Sequence, residues 1–348
     1  MATDIRQQPV ADPLSENPKN DLDFHRMFPD EESCRRYLER LRWPKGFTCS
    51  ECAAVGEPIR ITTRPGVLKC RSCYHISRVT AGTVMHRSKT SIRAWFWAAY
   101  LVATQTPGVS ALELQKKLGI LRYETAFQLL HKLRDAMVRP GRDKIGAEWP
   151  LELDIIFVGG KTRSGVQGVT NQVPVILAVE IRRREVRDQK TKKIIERGIA
   201  GRIRIQKLPN KMANSVDKFV KNNIAPGAVI VSDDGTEFTN LIALGFKHRP
   251  VAMRGDRTKM DSHLPMTGRI TANLKIWIDG TFHGVLKKHL QAYLNEFTFR
   301  FNRRFYRSAS FRTLLGLGTL HTGPTYKDVY DTNSGKNPTK SNLGAATV

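Results

Sequence analysis

An α+β chain of several modules is what the sequence predicts. Three observations carry the prediction: two Cys-x-x-Cys pairs between residues 49 and 73, helical spacing of apolar residues between 92 and 136, and β-type runs that begin at 151. The chain has 348 residues, 40% of them hydrophobic, which is more than one compact core usually holds. In order, the sequence reads as an unfolded N-terminus (1–24), a short helix with a cysteine module (25–86), a helical region (87–145), a mixed sheet with flanking helices (146–318) and a flexible tail (319–348).

The charge balance comes next, because it bounds the partners. Lys and Arg number 57 against 32 Asp and Glu, a net charge of +25 and a pI near 10.2. Displacing counterions condensed on a phosphate backbone favours such a surface, so nucleic acid is the first expectation and an anionic membrane the second. A basic surface that serves solubility alone is the plain alternative. The longest wholly apolar run, AWFWAAYLVA at 94–103, is far short of the roughly 20 residues a spanning helix needs. With no secretion-type apolar segment at the N-terminus, a cytoplasmic location is expected.

In the cysteine module, Cys49 and Cys52 (CSEC) and Cys70 and Cys73 (CRSC) have 17 residues between the pairs. Two such knuckles can close four thiolates around one tetrahedral Zn²⁺. Disulfides are the alternative, and a reducing compartment disfavours them. Between the knuckles, PIRITTRPGVLK reads as a hairpin around Pro65-Gly66, so the module is a zinc ribbon. A module this small buries too little apolar area to fold alone, which makes the metal structural. His75 reads as a surface or nucleic-acid contact and Cys34 as a small buried residue.

In the helical region, apolar residues recur at helical spacing through 92–104 until Pro107-Gly108 breaks the pattern. Ser110 and Glu113 make a capping box for a second helix, ALELQKKL, ending at Gly119. A third helix starts near Tyr123 and buries Ala126, Leu129, Leu130 and Leu133. The arrangement is similar to a helix-turn-helix unit, although any three-helix packing element has this periodicity. In the helix-turn-helix reading Arg122, Tyr123, Gln128, His131, Lys132 and Arg134 supply groove or phosphate contacts to double-stranded DNA.

From 151 onward, LELDIIFVGG, VPVILAVEIRRR, GRIRIQKL and AVIVSDDG read as strands, with a helix near 213–222 before the last. REVRDQKTKKIIERG, at 184–198, reads as an exposed hairpin tip that touches DNA or nothing. Asp154 lies in the first strand, and Asp233 and Asp234 end the later one. Such carboxylates can converge on Mg²⁺, which prefers oxygen ligands and activates water for in-line attack on a phosphodiester. From spacing alone, aspartates that merely cap strands and turns are the simpler reading. The last long helix carries Leu286, Leu290, Tyr293, Leu294, Phe297 and Phe301 as core, with Lys287, Lys288, Arg300, Arg303 and Arg304 as positive charge suited to a DNA backbone. Glu296 reads as the i,i+4 partner of Arg300.

Three stretches carry a resemblance: residues 81–137 from AGTVMHRSK to KLRDAM, LELDIIFVGGK at 151–161, and LKIWIDGTFHGVLKKHLQAYLNEFTFRFNRR at 274–304. From the ribbon to about residue 318 the chain resembles the bacterial insertion-sequence transposases of the ISXO-like group. The resemblance implies an N-terminal zinc ribbon and a ribonuclease-H-like domain with DDE-type catalysis, using Mg²⁺ or Mn²⁺ for DNA end cleavage and strand transfer. It makes Asp154 the first metal ligand and Asp234 the second, with Asp233 as the neighbouring register. The third ligand, commonly His and otherwise Asn or Glu, precedes by seven positions the lysine matched by Lys275, a contact to DNA phosphate. That ligand position is Gly268, which has no side chain, and the acid usual after the first aspartate is replaced by Ile155. Asp261, His263 and Asp279 are the nearby substitutes.

The resemblance also implies terminal-repeat and target DNA as partners, a homo-oligomer on DNA and association with the nucleoid. Weak or absent activity is expected from the missing ligand. A catalytically inactive, transposase-derived DNA-binding protein is therefore the alternative, and a zinc-ribbon transcription factor a third.

Overall fold

The computed structural model describes residues 17–159, 172–187, 193–252 and 262–330. By contacts the chain forms two units, Met1–Met137 with Phe305–Val348, and Val138–Arg304.

The first unit opens with helix α1 (Asp21–Met27) and helix α2 (Glu31–Arg42). Asp30 and Ser33 form a reciprocal cap that starts α2. The zinc-ribbon region follows as a two-stranded hairpin, β1 (Phe47–Thr48) and β2 (Val55–Gly56), and an antiparallel sheet of β3 (Ile59–Arg60), β4 (Val67–Lys69) and β5 (Ile76–Arg78). Three helices come next: α3 (Ile92–Thr104), α4 (Ala111–Leu118) and α5 (Tyr123–Ala136). Ser110 caps α4 by accepting from the Glu113 amide at 3.2 Å. Gly119 ends it at φ +62°, a left-handed conformation that suits a residue without Cβ.

Phe24, Phe28, Tyr37 and Phe96 gather around Phe311 of helix α9 (Arg307–Gly318) in one aromatic core, all five at most 2% exposed. This core explains two departures from the sequence-based boundaries. The N-terminal helix begins at Asp21 because Phe24 has a buried site to fill, and residues 305–318 join the N-terminal unit because Phe311 is buried there. The tail contributes α10 (Tyr326–Tyr330), where Val329 is buried and Tyr330 Oη donates to the Glu124 carbonyl at 3.2 Å. Residues 1–16 and 331–348, expected to be unfolded, lie outside the described residues.

The second unit is a five-stranded mixed sheet built from β6 (Leu151–Val158), β7 (Val173–Arg187), β8 (Ile194–Lys207), β9 (Val229–Asp233) and β10 (Lys247–Val251). Its strand order is β10-β9-β6-β7-β8. Strands β6 to β8 form an antiparallel meander, while β9 and β10 run parallel to β6, a ribonuclease-H-like topology. One face packs Leu151, Leu153, Ile176 and Ile230 against helix α6 (Ala213–Asn223) and a 3-10 turn (Thr236–Leu241). The other packs Ile156, Val175, Leu177 and Ile203 against α7 (Pro265–Phe282) and α8 (Leu290–Asn302). Alternation along β6 puts Glu152 and Asp154 on the α7 side. Among the described residues no helix is long and apolar enough to cross a membrane.

Candidate functional site

The four cysteines of the ribbon meet. Their ligand atoms all lie within 4.8 Å of one another, with Cys49 Sγ 3.6 Å from Cys73 Sγ and Cys52 Sγ 3.7 Å from Cys70 Sγ. The two knuckles repeat the same local geometry. The Glu51 amide donates to Cys49 Sγ and the Ser72 amide to Cys70 Sγ, each at 3.4 Å, while Ala53 and Tyr74 turn the chain at φ +57° and +60°. Amides aimed at sulfur stabilise thiolate, and four thiolates this close repel one another until a cation sits among them. The donor set fits Zn²⁺, which is the structural metal of this module. His75 lies outside the cluster, and Cys34 is fully buried in α2, where burial pushes its thiol up to about 12.

The acidic site forms where β6 and β9 run side by side. Their last paired rung is Glu152 with Val231, so Asp154 and Asp233 lie two residues further along neighbouring parallel strands, on the same face. Asp154 is half-buried. Burial pushes its carboxyl up, and the charges of Asp233 and Glu237 push it further, against the Ile155 amide and the Lys211 ammonium. Lys211 Nζ reaches Glu237 Oε1 at 3.4 Å and stands 5.3 Å from the Phe157 ring centre. The Glu237 carboxylate folds back over Gly235, where a Cβ would meet its Oε2 at 2.6 Å. Asp234 is exposed, and its amide donates to Asp233 Oδ1 at 2.9 Å. Neither Lys211 nor Glu237 was singled out from sequence. Glu237 follows the strand-end aspartates by a few residues, but only the 3-10 turn brings its side chain back toward them.

Helix α7 is anchored beside this site. Glu152 Oε2 accepts from the Met266 and Thr267 amides at 2.9 and 2.8 Å, joining the first turn of α7 to the strand that carries Asp154. Burial pushes the Glu152 carboxyl up to about 7 in spite of these amides. Gly268 directly follows Thr267. Lys275 and Asp279 are exposed along α7, as is His263 before it, whereas Asp261 lies outside the described residues. Among oxygen donors, Asp154 and Asp233 fit a hard divalent cation, because two half-buried carboxylates that repel each other gain from a shared positive charge.

The expected DNA contacts divide into two groups. Arg122 and Tyr123 are exposed at the start of α5, Gln128 is half-buried, and Lys287 and Lys288 are exposed before α8. The other five are engaged by the protein itself, His131 and Arg134 buried and Lys132, Arg303 and Arg304 half-buried. His131 and Arg134 are 4% and 1% exposed, and Lys132 Nζ donates to the Val84 carbonyl at 3.2 Å. Arg303 stacks over Phe299 at 4.0 Å and Arg304 over Phe301 at 4.1 Å, both donating to backbone carbonyls. Glu296, fully buried, accepts from Arg300 at 3.2 Å, the i,i+4 pair expected from sequence.

A four-cysteine ribbon together with a ribonuclease-H-like sheet bearing aspartates at adjoining strands defines a transposase-type protein. Residues 150–302 match the ISXO2-like transposase domain, and residues 29–75 match the transposase zinc-ribbon domain. The two stretches cover more than half of the sequence, and the chain belongs to the IS1595 family of ISXO2-like transposases. No curated protein and no solved structure matches it.

Proposed function

We propose that this protein is a DDE-type transposase that cuts the ends of its insertion sequence and joins them to target DNA with Mg²⁺ or Mn²⁺. The observation that carries the reading is the parallel pairing of β6 with β9, which sets Asp154 beside Asp233 on one face of the sheet. Asp233 takes the second-ligand role in this reading, ahead of Asp234, because its charge acts on Asp154 while Asp234 is exposed. A divalent ion held there would activate water, and then a DNA 3′-hydroxyl, for in-line attack at phosphorus. Lys275 contacts DNA phosphate near the cut, and Arg122, Tyr123, Lys287 and Lys288 contribute to holding double-stranded DNA. The protein works as a homo-oligomer on terminal repeats and target, at the nucleoid.

Gly268 favours a second reading, an inactive transposase descendant that retains DNA binding. Donor-end cleavage and strand transfer with Mg²⁺ or Mn²⁺ separate the two. If the first reading holds, the natural chain cuts while Asp154→Asn and Asp233→Asn each lose about a hundredfold or more, the scale expected when reacting groups are mispositioned by an ångström. Asp234→Asn retains most activity. Cutting by Gly268→His alone would establish the second reading, and equal cutting by Asp154→Asn would remove this site from the chemistry.

A further inference from the structure

Strands β7 and β8 continue well past the sheet that they help to build. Pairing with β6 ends at Glu180, yet β7 and β8 stay paired for seven more rungs, from Ile181 with Ala200 to Arg187 with Ile194. At about 3.3 Å per residue this is a free two-stranded ribbon about 20 Å long, set off by a bulge between Val179 and Ile181 that strengthens its twist. The hydrophobic cores of the unit claim little of it: residues 183–185 and 193–197 are exposed.

The two faces of the ribbon differ. One alternates Arg183, Glu185 and Arg187 opposite Gly198, Glu196 and Ile194, and its Arg183 is neutralised by Glu196 at 2.9 Å. The other carries Arg182, Arg184 and Val186 opposite Ile199, Arg197 and Ile195, with no acid among these six; at the foot of the ribbon Arg182 pairs with Glu180 at 3.4 Å. Its middle rung pairs Arg184 directly with Arg197, both exposed and, among the described residues, both without an ion-pair partner. Like charges directly opposite across two strands are destabilising. An acid beside this rung would relieve the repulsion, as Glu196 neutralises Arg183 on the other face, but among the described residues neither arginine of the rung has one. Water and salt screen the exposed pair in part, and an external anion would relieve it further, with guanidinium groups forking onto phosphate oxygens in particular.

We propose that the acid-free face of this ribbon seats on duplex DNA, with the Arg184–Arg197 rung gripping backbone phosphate. A two-stranded ribbon is one of the elements that the major groove admits, and arginines at its flank fix position without reading sequence. The inference rests on the DNA-directed reading above and adds a contact surface distinct from the carboxylate site and from α5.

The test is fluorescence anisotropy of the full chain with a short duplex of arbitrary sequence over a series of salt concentrations. Arg184→Glu turns the repulsive rung into an opposite-charge pair, so its thermal stability should hold or rise while the salt dependence of log K falls by about one unit. The double variant Arg184→Glu/Arg197→Glu should lose about two units, Arg184→Lys/Arg197→Lys should stay near the natural slope, and Arg183→Gln should not change it. A double charge reversal that binds with the natural affinity and slope overturns the proposal. So does one that changes only self-association, which would assign the face to a second copy. Loss of cleavage in Asp154→Asn reads the transposase proposal separately. Normal DNA binding by the ribbon variants therefore sinks the ribbon alone, whereas no duplex binding by the natural chain sinks both.

Discussion

Glu180 and Asp154 are carboxylates on adjacent strands whose surroundings push them in opposite directions. Burial would raise Glu180, but Arg202 and the amides of Gly146 and Arg202 outweigh it and hold the group down at about 2. Asp154 is raised, with Asp233 and Glu237 adding to the effect of burial. A satisfied ion pair explains the first, and burial beside two other carboxylates explains the second, an environment in which the proposed divalent ion would be favoured. The consequence for Glu180 can be given a sign. Its folded value lies below the ordinary 4.5, so the folded state binds fewer protons and the stabilisation is present above about 4.5, fading as pH falls toward 2. Glu180→Gln should lower unfolding free energy near pH 7 by about 3 kcal/mol, because it leaves a partly buried Arg202 less well compensated. It should also flatten the acid limb, as measured by denaturant unfolding across that range.

At the level of elements, α5 is instructive. Its apolar spacing, its start near Tyr123 and the Gly119 stop before it were all legible, since each follows from local stereochemistry. Which of its polar residues face water was not. Gly323 lies against Lys132, and Tyr330 reaches both the Phe127 ring, at 5.9 Å, and the Glu124 carbonyl. These covering residues come from the end of the described chain, about 200 positions away, so no local pattern announces them. In the proposed DNA-binding reading the contact by this helix centres on exposed Arg122 and Tyr123 at its start, and substitutions should divide accordingly. Arg122→Ala should leave thermal stability unchanged and reduce the salt slope of DNA binding by about one. Arg134→Ala should instead lower the melting temperature, because its side chain is 1% exposed. Measuring both quantities for both variants decides the matter, and a normal melting temperature for Arg134→Ala would refute the assignment.

For the whole molecule, two units with separate cores imply two sources of stability. The ribbon has a small core of Phe47, Leu68 and two of its own cysteines, so Zn²⁺ supplies much of what holds it. Chelation, or Cys49→Ser with Cys70→Ser, should release about one zinc per chain and abolish the ribbon's protection from hydrogen exchange. The sheet unit should keep its protected amides, and loss of protection in both units together would contradict this division. The sequence by itself determined the four clustered cysteines, the Ser110 cap and Gly119 stop of α4, and four of the five strands of the sheet, because each is written in short-range spacing or in residue chemistry. Only the tertiary structure decided that Asp233 stands beside Asp154, that Glu237 and Lys211 join them, that Phe311 belongs to the N-terminal core and that Arg134 is buried. Those outcomes depend on strand register and on burial by segments far apart in the chain, and register and burial are properties of packing.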